Sequence, residues 1–236
     1  MFAKPGERME IIQNNFASMA QAATPRFGVI SGLLSSASSE KKQLHRAKNF
    51  SMNPLAIIEK YYDPKSELYR ILVTHSVLVT AKALELAQRY VKKHPRAKVD
   101  VEFIEEAAML HDIGIFRCHS PEIMCVGSEP YIRHGIIGRK ILEDEGFPRH
   151  ALICERHTGV GLTREDVNKQ DLPLPDRDFM PISIEEKIIC LADKYYSKKP
   201  KRLFQEKSFR KIEKNLKKRS PHIARRFEKL YDEITG

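Results

Sequence analysis

Residues 107–114 read AAMLHDIG, in which small and apolar side chains lead into a histidine, an aspartate and then a glycine. The segment ends a helical pattern that begins after Asp100, a residue type that often caps helix N-termini. His111 and Asp112 therefore lie where a largely apolar helix ends, and Gly114 stops that helix. Because a single His-Asp pair occurs often by chance, its meaning depends on the residues that accompany it.

The sequence before this segment is also helical in pattern. Asn53-Pro54 is typical of a cap and a first helical position, and it predicts a short helix over LAIIEKYY. Ser66 begins a long helix that continues to about His94 and is ended by Pro95. Its apolar residues recur at spacings of three, four and seven, which indicates one buried face.

The sequence after the segment predicts further helices joined by loops. Their expected bounds are 134–144, 148–157 and 183–197, and the apolar stripes of the C-terminal helices begin at Phe209 and Ile223. Three prolines in DLPLPDRDFMP, residues 171–181, predict a stiff loop before the helix at 183–197. Since no stretch alternates convincingly with the period of two that is typical of strands, we expect an all-α fold.

The two ends of the chain differ from its middle in composition. Residues 1–51 are rich in alanine, serine and glycine, and we expect them to form a flexible, disordered N-terminal extension. Met52 begins the patterned sequence and is a candidate translation start. Residues 52–196 are expected to form one helical domain, and residues 197–236 to form basic C-terminal helices packed on it.

The net charge of +10 is concentrated at the two ends. Seven basic and three acidic side chains lie in 1–51, and fourteen and five lie in 197–236, so the middle is slightly acidic. The apolar stripes of the C-terminal helices indicate that their basic residues are first of all the solvated faces of packed helices. Nucleic-acid binding by this tail is the less favoured alternative, since no aromatic stacking surface accompanies it.

Composition also excludes several classes of protein. No run approaches the roughly 18 apolar residues that a membrane helix needs. The four cysteines show no CxxC spacing, which excludes a small disulfide scaffold and a cysteine zinc finger. A reducing cytoplasm is the simplest expected location.

Four further residues make the His-Asp pair informative. His75 lies on the apolar stripe of the preceding long helix, and Asp193 lies beside the apolar face of IICLADKYY. For His75 alone, a hydrogen-bonded core histidine is the simpler interpretation, but a carboxylate is costly to bury unless it is paired, protonated or bound to metal. His134 begins the helix in YIRHGIIGRK, and His157 ends the one in ICERHTGVG.

Imidazole and carboxylate ligands suit iron, manganese, cobalt or zinc. Four histidines and two aspartates are enough ligands for two such ions if one carboxylate is shared. The sequence therefore offers a candidate site with one or two divalent transition-metal ions.

The ordered set of motifs resembles the HD-domain metal-dependent phosphohydrolase superfamily, and in particular a group of small prokaryotic HDIG-domain proteins. The resemblance spans about 52–235 and includes LHDIG, YIRHG, ERHTGVGLT, LPLP and EEKIICLADKYY. It implies an HD-type helical bundle with a C-terminal helical extension. It also implies that four residues are the defining metal ligands, with the first aspartate shared by two ions and catalytic: His75, His111, Asp112 and Asp193. His134 and His157 match the extra histidines of the subgroup with two metal ions.

The resemblance implies that metal-activated water attacks a phosphate ester or anhydride of a nucleotide or a related small molecule. Phosphomonoesterase and phosphodiesterase action are both compatible with the motifs. Ile115 stands where the cyclic-di-GMP enzymes of the superfamily have lysine, and no GYP element follows, so that substrate is disfavoured. The candidate phosphate-binding residues are the cations beside the motifs, for each of which a surface charge is the simpler interpretation: Arg117, Arg133, Arg156 and Lys194.

Two other functions compete with hydrolysis. Some relatives with a similar histidine-rich site use two iron ions and oxygen to oxidise a substrate. A non-catalytic module could instead use the site to bind a ligand, with the basic tail contacting nucleic acid. The sequence predicts a small phosphorylated partner and no membrane partner.

Overall fold

The computed structural model describes residues 52–236. The predicted flexible extension, residues 1–51, lies outside the described residues. The described part forms nine α-helices and one small sheet, which confirms the all-α prediction. The helices are α1 (Pro54–Ile58), α2 (Glu67–Lys93), α3 (Val101–Leu110), α4 (His134–Asp144), α5 (Pro148–Arg156), α6 (Arg164–Lys169), α7 (Ile184–Asp193), α8 (Phe209–Arg219) and α9 (Pro221–Thr235).

Local capping sets the start of the main helices. Ser66 accepts a hydrogen bond from the backbone N–H of Tyr69 at the start of α2, and Asp100 accepts one from Phe103 at the start of α3. Ser220 caps α9 and is followed by proline at the first helical position. Each side-chain oxygen satisfies a backbone N–H that has no partner inside its helix. The predicted helix starts at Ser66 and after Asp100 are therefore confirmed.

Three features of the fold were not predicted. A three-stranded sheet has β1 (Cys118–Ser120) between β2 (Cys125–Val126), which is antiparallel to it, and β3 (Glu129–Pro130), which is parallel. Strands of two or three residues are too short to show a period of two. Helix α6 has six residues, held by a capping box at Thr163, and α7 ends at Asp193 instead of 197.

Two large buried clusters and a small third one make up the hydrophobic core of the described residues, the third consisting of Leu162, Val167 and Phe179. The first packs α2, α3 and α7 against the C-terminal helices and includes Ala108, Ile189 and Phe227. The second joins α1, α4 and α5 to the end of α3 and includes Leu110 and Ile113. Residues 111 and 112 are flanked along the chain by Leu110 and Ile113 of the second cluster, and Ala108 of the first cluster lies three residues before His111.

The C-terminal helices are anchored to the rest of the fold by apolar and polar contacts. Ile212 of α8 and Phe227 of α9 are buried in the first cluster. Arg226 donates to the carbonyl oxygen of Gly161 at 2.7 Å and lies 2.8 Å from a carboxylate oxygen of Asp166. These contacts hold α9 against the loop that follows α5. The proposed domain boundaries at 51/52 and 196/197 stay a prediction.

In the part of the chain from 52 to 236, no helix combines the length and the apolar character that crossing a membrane requires.

Candidate metal centre

Six side chains from five helices or their ends converge in the interior of the fold. They form two groups, in each of which the ligand atoms lie within 4.8 Å of one another. The first group is His75, His111, Asp112 and Asp193, and the second is Asp112, His134 and His157. All six are 9% exposed or less. The structure therefore brings together every residue that the sequence proposed as a metal ligand.

Asp112 lies at the middle of this cluster. Its Oδ2 lies 3.3 Å from Nε2 of His75 and 2.9 Å from Nε2 of His111. Its Oδ1 lies 3.4 Å from Nε2 of His134 and 3.4 Å from Nε2 of His157. The two carboxylate oxygens thus face two different pairs of imidazoles. This is the arrangement that a carboxylate shared between two ions needs.

Asp193 completes the first half of the cluster. Its Oδ1 lies 3.0 Å from Nε2 of His75 and 3.6 Å from Nε2 of His111. Atoms that bind one ion at about 2.1 Å lie about 3.0–3.4 Å from one another in octahedral or tetrahedral geometry. Most of the distances in the cluster fall within or close to this range.

Backbone carbonyls set the orientation of three imidazoles. Nδ1 of His111 lies 2.6 Å from the carbonyl oxygen of Ala108, Nδ1 of His134 lies 2.7 Å from that of Tyr131, and Nδ1 of His157 lies 2.8 Å from that of Cys154. When Nδ1 carries the proton and donates it to the carbonyl, the lone pair is at Nε2, which faces the cluster. Each of these histidines ends or begins a helix, so helix-end carbonyls are within reach.

Close helix packing brings the second pair of histidines to Asp112. A Cβ added at Gly114 would lie 2.3 Å from the carbonyl oxygen of His134, and one added at Gly135 would lie 2.5 Å from that of Cys154. Glycine at these two positions therefore lets α4 lie directly against both the turn after Asp112 and helix α5. This packing is the physical reason for the glycines in HDIG and YIRHG.

The protonation of the cluster also suits cation binding. Burial lowers the pKa of His134 to about 3 and also lowers the pKa of His157, so both imidazoles are neutral at pH 7. Burial alone would raise the pKa of Asp112, but the charges of His111 and Lys198 outweigh it and hold that pKa well below its usual range. Burial by itself would lower the pKa of His111, but the negative charges nearby, chiefly that of Asp112, outweigh burial and raise this pKa to about 9. A metal ion at Nε2 of His111 would take the place of that proton.

The donor set fits divalent metal ions. Oδ1 of Asp112 is buried and has no hydrogen-bond partner within residues 52–236, although it faces two imidazole nitrogens at 3.4 Å. Buried polar atoms are otherwise nearly always satisfied, so an unpartnered carboxylate oxygen that faces imidazole nitrogens indicates a cation-binding site. Nitrogen and oxygen donors without thiolate match iron, manganese, cobalt and zinc.

Two lysines flank the carboxylates. Nζ of Lys194 lies 2.7 Å from Oδ2 of Asp193, and Nζ of Lys198 lies 2.5 Å from Oδ2 of Asp112. The sequence proposed Lys194 but missed Lys198. Nothing in SKKPKR distinguishes one lysine from its neighbours, because the contact with Asp112 depends on how the chain turns after α7.

The three proposed phosphate-binding arginines lie in other surroundings. Arg156 makes a two-contact ion pair with Glu186 at 2.9 and 3.1 Å, and Arg133 lies 2.9 Å from Glu129. Arg117 is exposed at the end of the turn that follows Asp112. The ion pairs of Arg133 and Arg156 stabilise the fold locally, and a phosphate-binding role for the three arginines stays a prediction.

Comparison with known proteins assigns the family. The sequence model of the HD domain matches residues 72–197, a span that contains all six residues of the cluster. The chain belongs to the HD domain family. The family and the His/Asp cluster together support divalent-metal binding.

Three relatives show where similar chains occur. An uncharacterized protein of Methanocaldococcus jannaschii is 38% identical over 166 residues, which cover 70% of this chain and 88% of that protein. A tRNA (cytidine(56)-2'-O)-methyltransferase of Picrophilus torridus is 34% identical over 58% of this chain, and one of Thermoplasma volcanium is 33% identical over 48%. The matched segments span only 36% and 29% of these two methyltransferases. No solved structure matches the chain.

Proposed function

We propose that this protein is a phosphohydrolase with two divalent transition-metal ions, acting on a phosphate ester or anhydride of a nucleotide or a related small molecule. The observation that supports it most is the position of Asp112, whose two oxygens face separate pairs of imidazoles. The proposed ligands are His75, His111, Asp112, His134, His157 and Asp193.

The residues around the cluster can orient and neutralise a phosphate group. Bound divalent ions supply Lewis acidity, which neutralises phosphate charge and lowers the pKa of a water molecule. Asp112 and the imidazoles hold their ligand atoms in place before binding, so little reorganisation is needed. Lys194 and Lys198, which lie beside the carboxylates, then offer ammonium groups to the phosphate oxygens.

Metal content and phosphate release test this proposal together. We would purify the protein without chelator or affinity metal, measure metal by elemental analysis, and assay phosphate release from a panel of nucleotides. About two equivalents of transition metal and metal-dependent release are expected. One equivalent would indicate a site of His75, His111, Asp112 and Asp193 alone.

Two results would contradict hydrolysis. Oxygen consumption that requires iron, without phosphate release, would favour the di-iron oxygenase. Absence of metal even after reconstitution would favour a binding module. Each result replaces hydrolysis by a different named function, so the assays separate all three.

RNA binding is a second candidate function, favoured by two observations. Two relatives are named as tRNA methyltransferases, and α8 exposes basic residues that include Lys211, Lys214 and Lys218. Phosphate contacts of this kind make affinity fall steeply with salt. We would measure tRNA binding between 50 and 200 mM salt. Salt-dependent binding without turnover of any phosphate ester would support this second function over hydrolysis.

A further inference from the structure

A cavity of about 320 Å³ lies between the metal centre and helix α8. Asp193 and Lys198 line it on one side, and Lys207, Ile212, Leu216 and Arg219 line it on the other. We call this second side, formed by Lys207, Ile212, Leu216 and Arg219, the α8 wall. All four of its residues lie after residue 197, where the HD domain match ends.

Lys207 is the cation of the α8 wall that lies deepest. Its backbone N–H donates to the carbonyl oxygen of Tyr195 at 2.8 Å, which ties the start of the wall to the end of α7. The side chain is partly buried, and within residues 52–236 its ammonium group has no carboxylate within 4 Å. Burial lowers its pKa to about 8, with Lys194 and Lys198 acting in the same direction and Asp193 opposing them. A partly buried cation without a partner favours the binding of an anion.

Arg219 lies at the other end of the α8 wall. Ile212, Leu216 and Arg219 are spaced four and three residues apart, so they share one face of the helix. Lys207 lies just before α8 begins at Phe209, and the ten-residue step from Phe209 to Arg219 corresponds to about 15 Å of helix. The apolar side chains of Ile212 and Leu216 therefore separate the two cations of the wall.

The surroundings of Arg219 differ from those of a neighbouring cation. Lys217 pairs with Glu213 at 2.6 Å and Glu228 at 3.1 Å. Arg219, in contrast, has no carboxylate within 4 Å among the residues that the structure describes. The cation that lines the cavity is thus available to a ligand, whereas Lys217 is already neutralised.

We propose that the α8 wall completes the substrate site and selects a small molecule with an anionic group at each end. Lys207 binds the phosphate that lies at the metal centre, the apolar middle of the wall contacts the body of the ligand, and Arg219 binds the second anionic group. A cavity near 320 Å³ is at the small end of ligand sites, which fits one nucleotide unit and not a longer polymer. The assignment of the first phosphate rests on the proposed function of the metal centre.

The test compares two ligands that differ by one phosphate, AMP and adenosine 3',5'-bisphosphate. Affinities are measured by calorimetry at low temperature on the metal-loaded protein, and the ligands are checked for integrity afterwards. We expect Lys207→Gln to lower the affinity for both ligands about ten- to a hundredfold, which is the loss typical of a charge-assisted hydrogen bond. We expect Arg219→Gln to lower the affinity for the bisphosphate about three- to tenfold and the affinity for AMP less than twofold. The effect is small because solvent screens the exposed pair of Arg219 and the second phosphate.

Arg225→Gln is the matched control. Arg225 is exposed on α9 and does not line the cavity, so the variant makes the same substitution elsewhere on the C-terminal helices. The proposal is overturned if Arg225→Gln and Arg219→Gln weaken binding of the bisphosphate equally, if wild-type protein binds the bisphosphate no more tightly than AMP, or if neither ligand binds. If the α8 wall selects the bisphosphate but no phosphate is released, the proposed hydrolysis is wrong while the proposed ligand site still holds.

Discussion

The metal centre and the α8 wall both depend on charged or polar side chains, but these side chains are buried and oriented in the metal centre and more exposed to solvent in the α8 wall. In the metal centre the proposed ligands are 9% exposed or less, and backbone carbonyls orient three of the four imidazoles. In the α8 wall Lys207 is partly buried and Arg219 is exposed. Buried, oriented charges interact strongly because water does not screen them, whereas exposed charges contribute little each. The centre is thus suited to chemistry and the wall to choosing the ligand.

The largest expected effect comes from removing the carboxylate shared by both halves of the centre. Asp112→Ala should lower the rate of phosphate release by at least about 10³-fold, since bound metal ions supply several kcal/mol of transition-state stabilisation. Asp144→Ala, which removes an exposed carboxylate that pairs with Lys140, should leave the rate unchanged. Full activity in Asp112→Ala, with the fold retained by circular dichroism, would end the mechanism proposed here.

A second pair of variants separates the two halves of the centre. His134→Ala should lower the affinity for one of the two ions by at least about 10–100-fold, because even residues that only hydrogen-bond to metal ligands have effects of that size. His75→Ala should weaken the other ion. Elemental analysis after dialysis should then give about one equivalent for each variant. The exposed His222 provides the control His222→Ala, which should keep both ions. Equal loss of both ions in His134→Ala and His75→Ala would argue against two separable sites.

A packing variant tests whether the centre depends on close helix contact. In Gly114→Ala the new Cβ would lie 2.3 Å from the carbonyl oxygen of His134 and 2.6 Å from the backbone nitrogen of Gly138. The free energy of unfolding should fall by about 1–3 kcal/mol, the usual cost of overpacking, and metal affinity should fall with it.

Gly146→Ala is the comparison for that variant. A Cβ there has no heavy atom within 4 Å, but the backbone φ is +86°, so we expect a cost of about 1–2 kcal/mol and unchanged metal affinity. Chemical denaturation and metal titration measure both quantities. Unchanged metal affinity in Gly114→Ala would show that the approach of α4 to the centre is not needed.

The smallest expected effect concerns the pH dependence of the α8 wall. With its pKa at about 8, Lys207 is charged at pH 7 and mostly neutral at pH 9, so AMP affinity should fall as pH rises through 8. The fall should be at most about tenfold between pH 7 and pH 9, where AMP keeps its charge. Arginine stays protonated over this range, so Lys207→Arg should remove this part of the pH dependence. Identical profiles for the wild type and Lys207→Arg would contradict the role of Lys207.

Much of the fold could be predicted because its signals are local. Ser66, Asp100 and Ser220 cap helices through contacts with residues three positions away, and the apolar stripes repeat within each helix. The two- and three-residue strands near Cys118 escaped prediction, since such short segments carry no periodic signal. Helix α6 was missed although Thr163 begins it with a capping box, because six residues are too few for an apolar stripe to repeat.

By itself, the sequence determined the order of the main helices, the HD-type motif and the six candidate ligands. Residue type and spacing were enough for this, because imidazole and carboxylate side chains are the ligands that divalent transition-metal ions prefer. Only the tertiary structure decided which cations lie near the candidate ligands. Arg133 and Arg156 directly precede the proposed ligands His134 and His157, yet they pair with glutamates, while Lys198 contacts Asp112. Successive helical side chains point about 100° apart, so neighbours in sequence face different surroundings. Which side chains meet across the cavity depends on the packing of α8 against the bundle.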